Sequence, residues 1–405
     1  MNILVTGTTF PRWDNDNVPT FVEDLSKRLA IEGNNITVLA PHYLGAKFHE
    51  QTKYLDIQRF RYFLEKYQKL VYGGILPNIK KNPFLVFQAP FLIFFEILTI
   101  RKLIKKKKID AIHSHWILPQ GFCGAFIKRF IDKEVKHIIT VHAGGVLALK
   151  KIPFKRIIAD FIIKNTDAIT CVSTYMKNEL LNTVSPDLRS ELIKKTKIIP
   201  MGVYIGSFRI NKNKNYLRKK YKVDAKWSIL FIGRLAEKKG VKYLLETIRN
   251  LKNIDVELLI AGDGPLRQDL ESLTKNYNLE EKVKFLGYAS KDMKLELFSV
   301  ADIIVIPSII TKSGDTEGFP VVMLESFASK KPLIITNVGG VSDALKNNVN
   351  GILIKQKNVK QIENAIRKIV NNPKFSRKIS KKAYETAKKY DWKIIGKRYS
   401  EIIKH

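Results

Sequence analysis

Cysteine is nearly absent from this chain. Two residues in 405, Cys123 and Cys171, exclude a disulfide framework. Both sit in apolar surroundings and read as small buried hydrophobes of a reducing compartment. A clean membrane span is missing too. The most apolar run, residues 84–104, is interrupted by Gln88, Pro90, Glu96 and Arg101, which makes it a poor transmembrane helix. The opening MNILVTG has no basic flank and no small-residue cleavage site, so it does not read as a signal peptide. Convincing metal ligands are also lacking. Asp14-Asn15-Asp16 resembles a two-aspartate motif without further ligands, and His113 and His115 fall short of the three or four that zinc needs.

Acidic residues are scarce as well. Lys and Arg number 71 against 38 Asp and Glu, for a formal charge of +33. Such an excess favours anionic partners: phosphorylated substrates, anionic lipid or nucleic acid. No aromatic–basic nucleic-acid motif accompanies it. Abundant Lys and Asn are equally what a biased genome composition produces.

A hydrophobic content of 45% supports real cores, and the length fits two domains. Residues 3–6 read as a strand, 8–20 as a polar loop, 21–31 as an amphipathic helix and 36–40 as a strand. That order is a βαβ unit with a parallel sheet. Residues 111–115, 138–141, 168–172 and 197–199 extend it, while residues 44–82 show no readable period. The run 84–104 reads as a helix packed on the sheet and ending in solvated Lys105 to Lys108. The sharper alternative is an apolar, basic helix that touches a membrane. His142 ends the strand 138–141 before Ala143-Gly144-Gly145, which places it exposed at a strand terminus; His115-Trp116 ends the strand 111–115. Residues 211–222 read as a polar, basic linker or helix start. Six short apolar runs follow, at 229–232, 256–260, 283–286, 303–306, 333–335 and 352–354, with helical patterns between them. They predict a second doubly wound α/β domain. Residues 391–405 read as a final amphipathic helix.

The densest chemistry lies in EGFPVVMLESFA, residues 317–328. Glu317-Gly318-Phe319 reads as a loop, Pro320 as the first helical residue, and 321–328 as a short apolar helix. Free N–H groups at its start form an anion site suited to phosphate. Glu317 lies just outside that start and Glu325 about two turns along. Carboxylates beside a phosphate make sense if sugars flank it, because each can accept a pair of hydroxyl hydrogen bonds. The plainer alternative is a surface helix with two solvated Glu. Gly233-Arg234 closes the strand 229–232, and Lys239-Gly240 follow before a helix. A guanidinium fork and an ammonium at that spacing can neutralise a diphosphate. Residues 261–265 and Gly339-Gly340 read as ordinary turns.

The stretch EGFPVVMLESFA resembles the Glu–seven residues–Glu signature of family-4 glycosyltransferases, retaining enzymes of the GT-B architecture. The Arg234, Lys239, Gly240 spacing is similar to that family's phosphate-binding pair, and IPMGV at 199–203 resembles its domain junction. Two features depart from the family pattern. Asn17-Val18-Pro19-Thr20 stands where members often carry a Gly-rich loop, and Tyr204 where an acidic residue often follows the junction. The resemblance implies two Rossmann-like domains facing a cleft: 1–205 on the acceptor side, 206–385 for the donor, and a helix 386–405 returning to the first. It implies a nucleotide-sugar donor, UDP- or GDP-linked, as substrate, with no cofactor and no metal. Arg234, Lys239, Gly318 and Phe319 would hold the diphosphate, Glu325 the ribose and Glu317 the transferred sugar. His142 is similar to the family His that contacts that sugar. The acceptor would be a hydroxyl on a lipid-linked or cell-surface glycan precursor, and the enzyme cytoplasmic and peripheral to the membrane. A nucleotide-sugar epimerase on the same fold and a basic nucleic-acid-binding protein are the alternatives.

Overall fold

A computed structural model describes residues 1–14, 16–209 and 212–404. Asn15 of the two-aspartate motif and Asn211 of the expected linker lie outside the described residues. The chain forms two compact units, Met1–Met201 with Trp392–His405, and Gly202–Asp391. The expected limits at 205 and 385 both fall inside the second unit. The reason is local pairing: Val203 bridges to Asp391 and donates its N–H to the Tyr390 carbonyl at 2.9 Å.

The first unit holds β1 (Asn2–Thr6), β2 (Asn35–Pro41), β3 (His49–Gln51), β4 (Leu55–Phe60), β5 (Ala111–His115), β6 (Lys136–Val141), β7 (Ala168–Cys171) and β8 (Thr196–Ile198). They form one sheet in the order β3-β4-β2-β1-β5-β6-β7-β8. Every pair is parallel except β3 with β4. Sequence periodicity misses β3 and β4 for a physical reason. β3 is only three residues long, and β4 buries the polar Asp56 and Arg59 among its apolar residues, so it does not read as an apolar run. The helix Phe21–Ile31 buries Val22, Leu25, Ser26 and Leu29, one face at helical spacing. The last helix, Trp392–Lys404, belongs to this unit and buries Trp392, Ile395, Tyr399 and Ile403. Its Tyr399 hydroxyl donates to the Ile199 carbonyl at 3.0 Å.

The second unit holds β9 (Trp227–Ile232), β10 (Val256–Ala261), β11 (Val283–Gly287), β12 (Ile303–Ile306), β13 (Leu333–Thr336) and β14 (Ile352–Ile354). They pair in parallel in the order β11-β10-β9-β12-β13-β14. Leu, Ile and Val from these strands and from the helices Val241–Asn250 and Val359–Asn371 make its core. In each sheet the strand order reverses once beside the first strand, between β1 and β5 and between β9 and β12. Open parallel sheets bind ligands outside the carboxyl ends of the strands at such points.

The apolar run of the first unit forms the expected helix packed on the sheet, and only one of its faces is covered. Pro83–Gln88 is a 3-10 turn and Ala89–Lys107 an α-helix. Leu92, Ile100, Leu103 and Ile104 pack into the core with Leu4, Leu39 and Ile112. The opposite face is bare: Phe84, Phe87, Phe91, Phe94, Phe95 and Leu98 are exposed, Phe84 by 78% and Phe87 by 69%. By length and composition alone, Pro83–Lys107 is apolar enough to cross a membrane. Arg101, Lys102, Lys105 and Lys106 are exposed towards its end.

Candidate active site

The site of the second unit is assembled from strand ends. Gly233 and Arg234 leave β9, and Arg234 is exposed there. The short turn Glu237–Lys239 brings the Lys239 side chain back over Gly233, where an added Cβ would lie 3.7 Å from Nζ. The turn after β10 braces this loop, since the Leu235 N–H donates to the Asp263 carbonyl at 2.9 Å. Ser308 follows β12, and the loop that continues from it carries Glu317. Lys239 Nζ meets Glu317 Oε1 at 2.8 Å, with both side chains largely shielded. Lys238 pairs with Asp315 at 3.1 Å. The two carboxyl ends flanking the reversal of strand order are thus joined by an ion pair.

Burial pushes the Glu317 carboxyl up. The charges of Lys239 and Lys238, with hydrogen bonds from Lys239 and Ser308, outweigh burial and hold it below the ordinary carboxylate range. Glu317 is therefore ionised. Its backbone is clamped by the turn after β13. Gly340 N–H donates to the Gly318 carbonyl at 3.0 Å, and Gly339, at φ +60°, approaches so closely that a Cβ there would lie 2.0 Å from the Glu317 carbonyl oxygen. Sequence reading takes Gly339-Gly340 as an ordinary turn. The signal that finds it is position: paired glycines just past a parallel strand end, on the ligand side of the sheet.

The helix Val321–Ala328 starts one residue later than expected. Pro320 has extended ψ and caps it from outside rather than forming its first turn. Phe319 is buried and faces Tyr390 with ring centroids 6.0 Å apart. Glu325 is buried and has a partner of its own: Lys294, from the helix Lys291–Val300, donates to Oε1 at 2.5 Å. The structure thus brings Lys239, Glu317 and the Gly318 loop together and ties Glu325 to Lys294. Lys238, Ser308, Lys294 and Gly339 are the participants that the sequence pattern does not single out.

His142 lies in the first unit at the end of β6, as the cap of the helix Ala143–Lys151. The expected exposure is wrong: only 8% of it is accessible. Phe21, Trp116 and His115 enclose its ring, with centroids 5.0, 4.9 and 5.4 Å away. Burial, with a smaller contribution from His113, pushes it down to about 3, so the imidazole is neutral. Trp116 holds φ +70°, a conformation that a bulky residue keeps only when its surroundings impose it. His113 and His115 share a strand face as expected, but both are fully buried and do not line an open surface. Asp16 is engaged by Arg12, which donates to its two carboxylate oxygens at 2.8 and 2.6 Å.

Two doubly wound units, the second with a cation–carboxylate site at the reversal of its strand order, have the architecture of GT-B glycosyltransferases. Residues 18–204 match the family described as Glycosyltransferase Family 4, and residues 212–386 match Glycosyl transferases group 1. The chain belongs to the family-4 glycosyltransferases. An uncharacterized glycosyltransferase of Methanocaldococcus jannaschii is 30% identical over 306 residues, covering 75% of this chain and 78% of that one. The phosphatidylinositol N-acetylglucosaminyltransferase GPI3 subunit of Saccharomyces cerevisiae is 26% identical over 347 residues, covering 79% and 71%. The Anabaena protein HepE in complex with UDP superposes with a TM-score of 0.74 at 16% identity, over 100% of both chains.

Proposed function

We propose that this glycosyltransferase moves a sugar from a UDP- or GDP-linked donor, with retention at the anomeric carbon, to a hydroxyl of a lipid-linked acceptor. The observation that carries the donor half is the Lys239–Glu317 pair at the carboxyl ends of β9 and β12. Arg234 and Lys239 would take the diphosphate, with the Gly318-Phe319 loop at the head of the apolar helix. Glu317 would accept from the hydroxyls of the transferred sugar. Glu325, its carboxylate oriented by Lys294, would accept from the ribose. The bond from the anomeric carbon to the phosphate oxygen breaks through an oxocarbenium-like state, and the acceptor oxygen bonds to the same face of that carbon. The acceptor proton passes to the departing phosphate. Negative charge grows on that phosphate, so the two cations bind the transition state better than the ground state. This arrangement asks for no metal and no cofactor. His142 would contact the transferred sugar.

The donor assignment is tested by thermal shift with UDP, GDP and ADP. A nucleotide at a hundred times its dissociation constant stabilises the native state by about 2.7 kcal/mol. Glu325→Gln should shrink that shift. Glu317→Gln should leave it and slow transfer instead, and transfer should persist in excess chelator. Equal, small effects of both variants would return the two Glu to a purely structural role.

The acceptor half rests on the bare aromatic face of Pro83–Lys107 and its basic end. A helix that buries one face in protein and offers Phe and Lys on the other fits the interface of a bilayer. The yeast relative is named for phosphatidylinositol. Each basic residue near an anionic surface contributes about 1 kcal/mol, so Arg101, Lys102, Lys105 and Lys106 supply at most about 4 kcal/mol. Docking at the cytoplasmic face would be reversible. In sedimentation, the protein should follow anionic but not neutral vesicles, release at high salt, and bind less when Phe84 and Phe87 become Ser. Tight binding to duplex DNA with no response to anionic vesicles would overturn the lipid reading.

A further inference from the structure

The buried imidazoles of the first unit form an ordered set. His115 Nδ1 and His142 Nε2 are 3.1 Å apart, so one of them carries a proton and donates it to the other. The far nitrogen of His115, Nε2, is buried without a hydrogen-bond partner among the described residues, and so is Nδ1 of His113. A buried N–H with no acceptor loses its whole hydrogen bond to water, and orphaned donors are rarer than under-used acceptors. The proton of His115 therefore belongs on Nδ1. The neighbouring chain obeys the same rule. With its Nδ1 bare, His113 donates from Nε2 to Thr140 Oγ1 at 2.7 Å, and Thr140 Oγ1 lies 2.7 Å from Thr170 Oγ1. Thr170 in turn can donate to the Ile139 carbonyl at 3.4 Å.

We infer that His115 is a positioning residue: its Nδ1–H donates to Nε2 of His142, which leaves the single proton of His142 on Nδ1. His142 then meets a ligand as a hydrogen-bond donor at Nδ1, suited to a sugar hydroxyl or carbonyl oxygen. The packing of Phe21 and Trp116 around the ring keeps it from turning to present the other nitrogen. This inference rests on the assignment of His142 to the transferred sugar. It adds which atom makes that contact, and which residue decides it.

Hydrogen–nitrogen correlation spectra of the full chain, with nitrogen-15 histidine, test the tautomer directly. His142 is assigned by the signal lost in His142→Asn. Protonation at Nδ1 alone is expected. Protonation at Nε2, or at both nitrogens, at neutral pH would overturn the inference. Asn at position 115 can place an N–H where Nδ1 was, so His115→Asn should preserve the His142 tautomer and most activity. His115→Leu should leave His142 with mixed tautomers and lower kcat/KM about ten-fold, as loss of one hydrogen bond does. It should not change the thermal shift produced by nucleotide. If His115→Leu does not fold, the spectrum of the native chain decides. If the tautomer is as inferred yet His142→Ala transfers sugar normally, the sugar assignment fails and the His115–His142 geometry stands.

Discussion

Replacing Lys239 by Ala is expected to lower sugar transfer about 10²–10³-fold, and Arg234→Ala to do the same, the loss that follows removal of one preorganised charge-stabilising donor. The two variants should differ in a second respect. Lys239 is the partner of the shielded carboxylate of Glu317, whereas Arg234 stands exposed at the end of β9. Removing one member of a shielded pair strands the other charge, so Lys239→Ala should also lower the melting temperature. A concurrent Glu317→Gln should restore part of that stability but none of the activity. Transfer rates over a donor series, with melting curves alongside, separate the two effects. Near-normal turnover in both single variants would remove Arg234 and Lys239 from the reaction.

Gly339→Ala should cost about 10² in transfer. The first contribution is backbone strain, since φ +60° penalises any residue with a Cβ by roughly 1–2 kcal/mol. The larger one is steric. The new Cβ would lie 2.0 Å from the Glu317 carbonyl oxygen, and a backbone oxygen cannot rotate aside as a side chain can. The loop must move and carry the Glu317 carboxylate with it. A displacement of about 1 Å at a reacting centre is enough for a loss of that size. Gly314→Ala provides the control. Gly314 has φ +80° with nothing within 4 Å of its added Cβ, so it suffers the strain without the displacement and should keep most activity. Equal activities of the two variants would show that the position of Glu317 does not limit the rate.

Much of this site is legible in the residues because its chemistry is local. Residues 317–328 carry loop, cap, helix and both carboxylates in one stretch, and Arg234 and Lys239 sit one short turn apart. The core strands of the second unit are equally plain, because a strand buried on both faces reads as a bare apolar run. Polar residues hide β4, where Asp56, Gln58 and Arg59 interrupt the run although the strand is almost wholly buried. His142 shows the limit from the other side. A histidine at a strand end before two glycines looks exposed, but Phe21, Trp116 and His115 arrive from elsewhere in the chain to bury it.

Residue type and short-range spacing determined the fold class, the family and the loops that carry Arg234, Lys239 and Glu317, with the helix that carries Glu325. Those are consequences of periodicity and of chemical groups a few positions apart, which a linear reading contains. Tertiary structure decided the rest: that Lys239 is held by Glu317, that Lys294 holds Glu325, that Gly339 fixes the Glu317 backbone, and that one face of Pro83–Lys107 stays bare. Each depends on contacts between segments distant in sequence, set by which strands lie side by side and by how closely their ends approach. No local pattern records those distances.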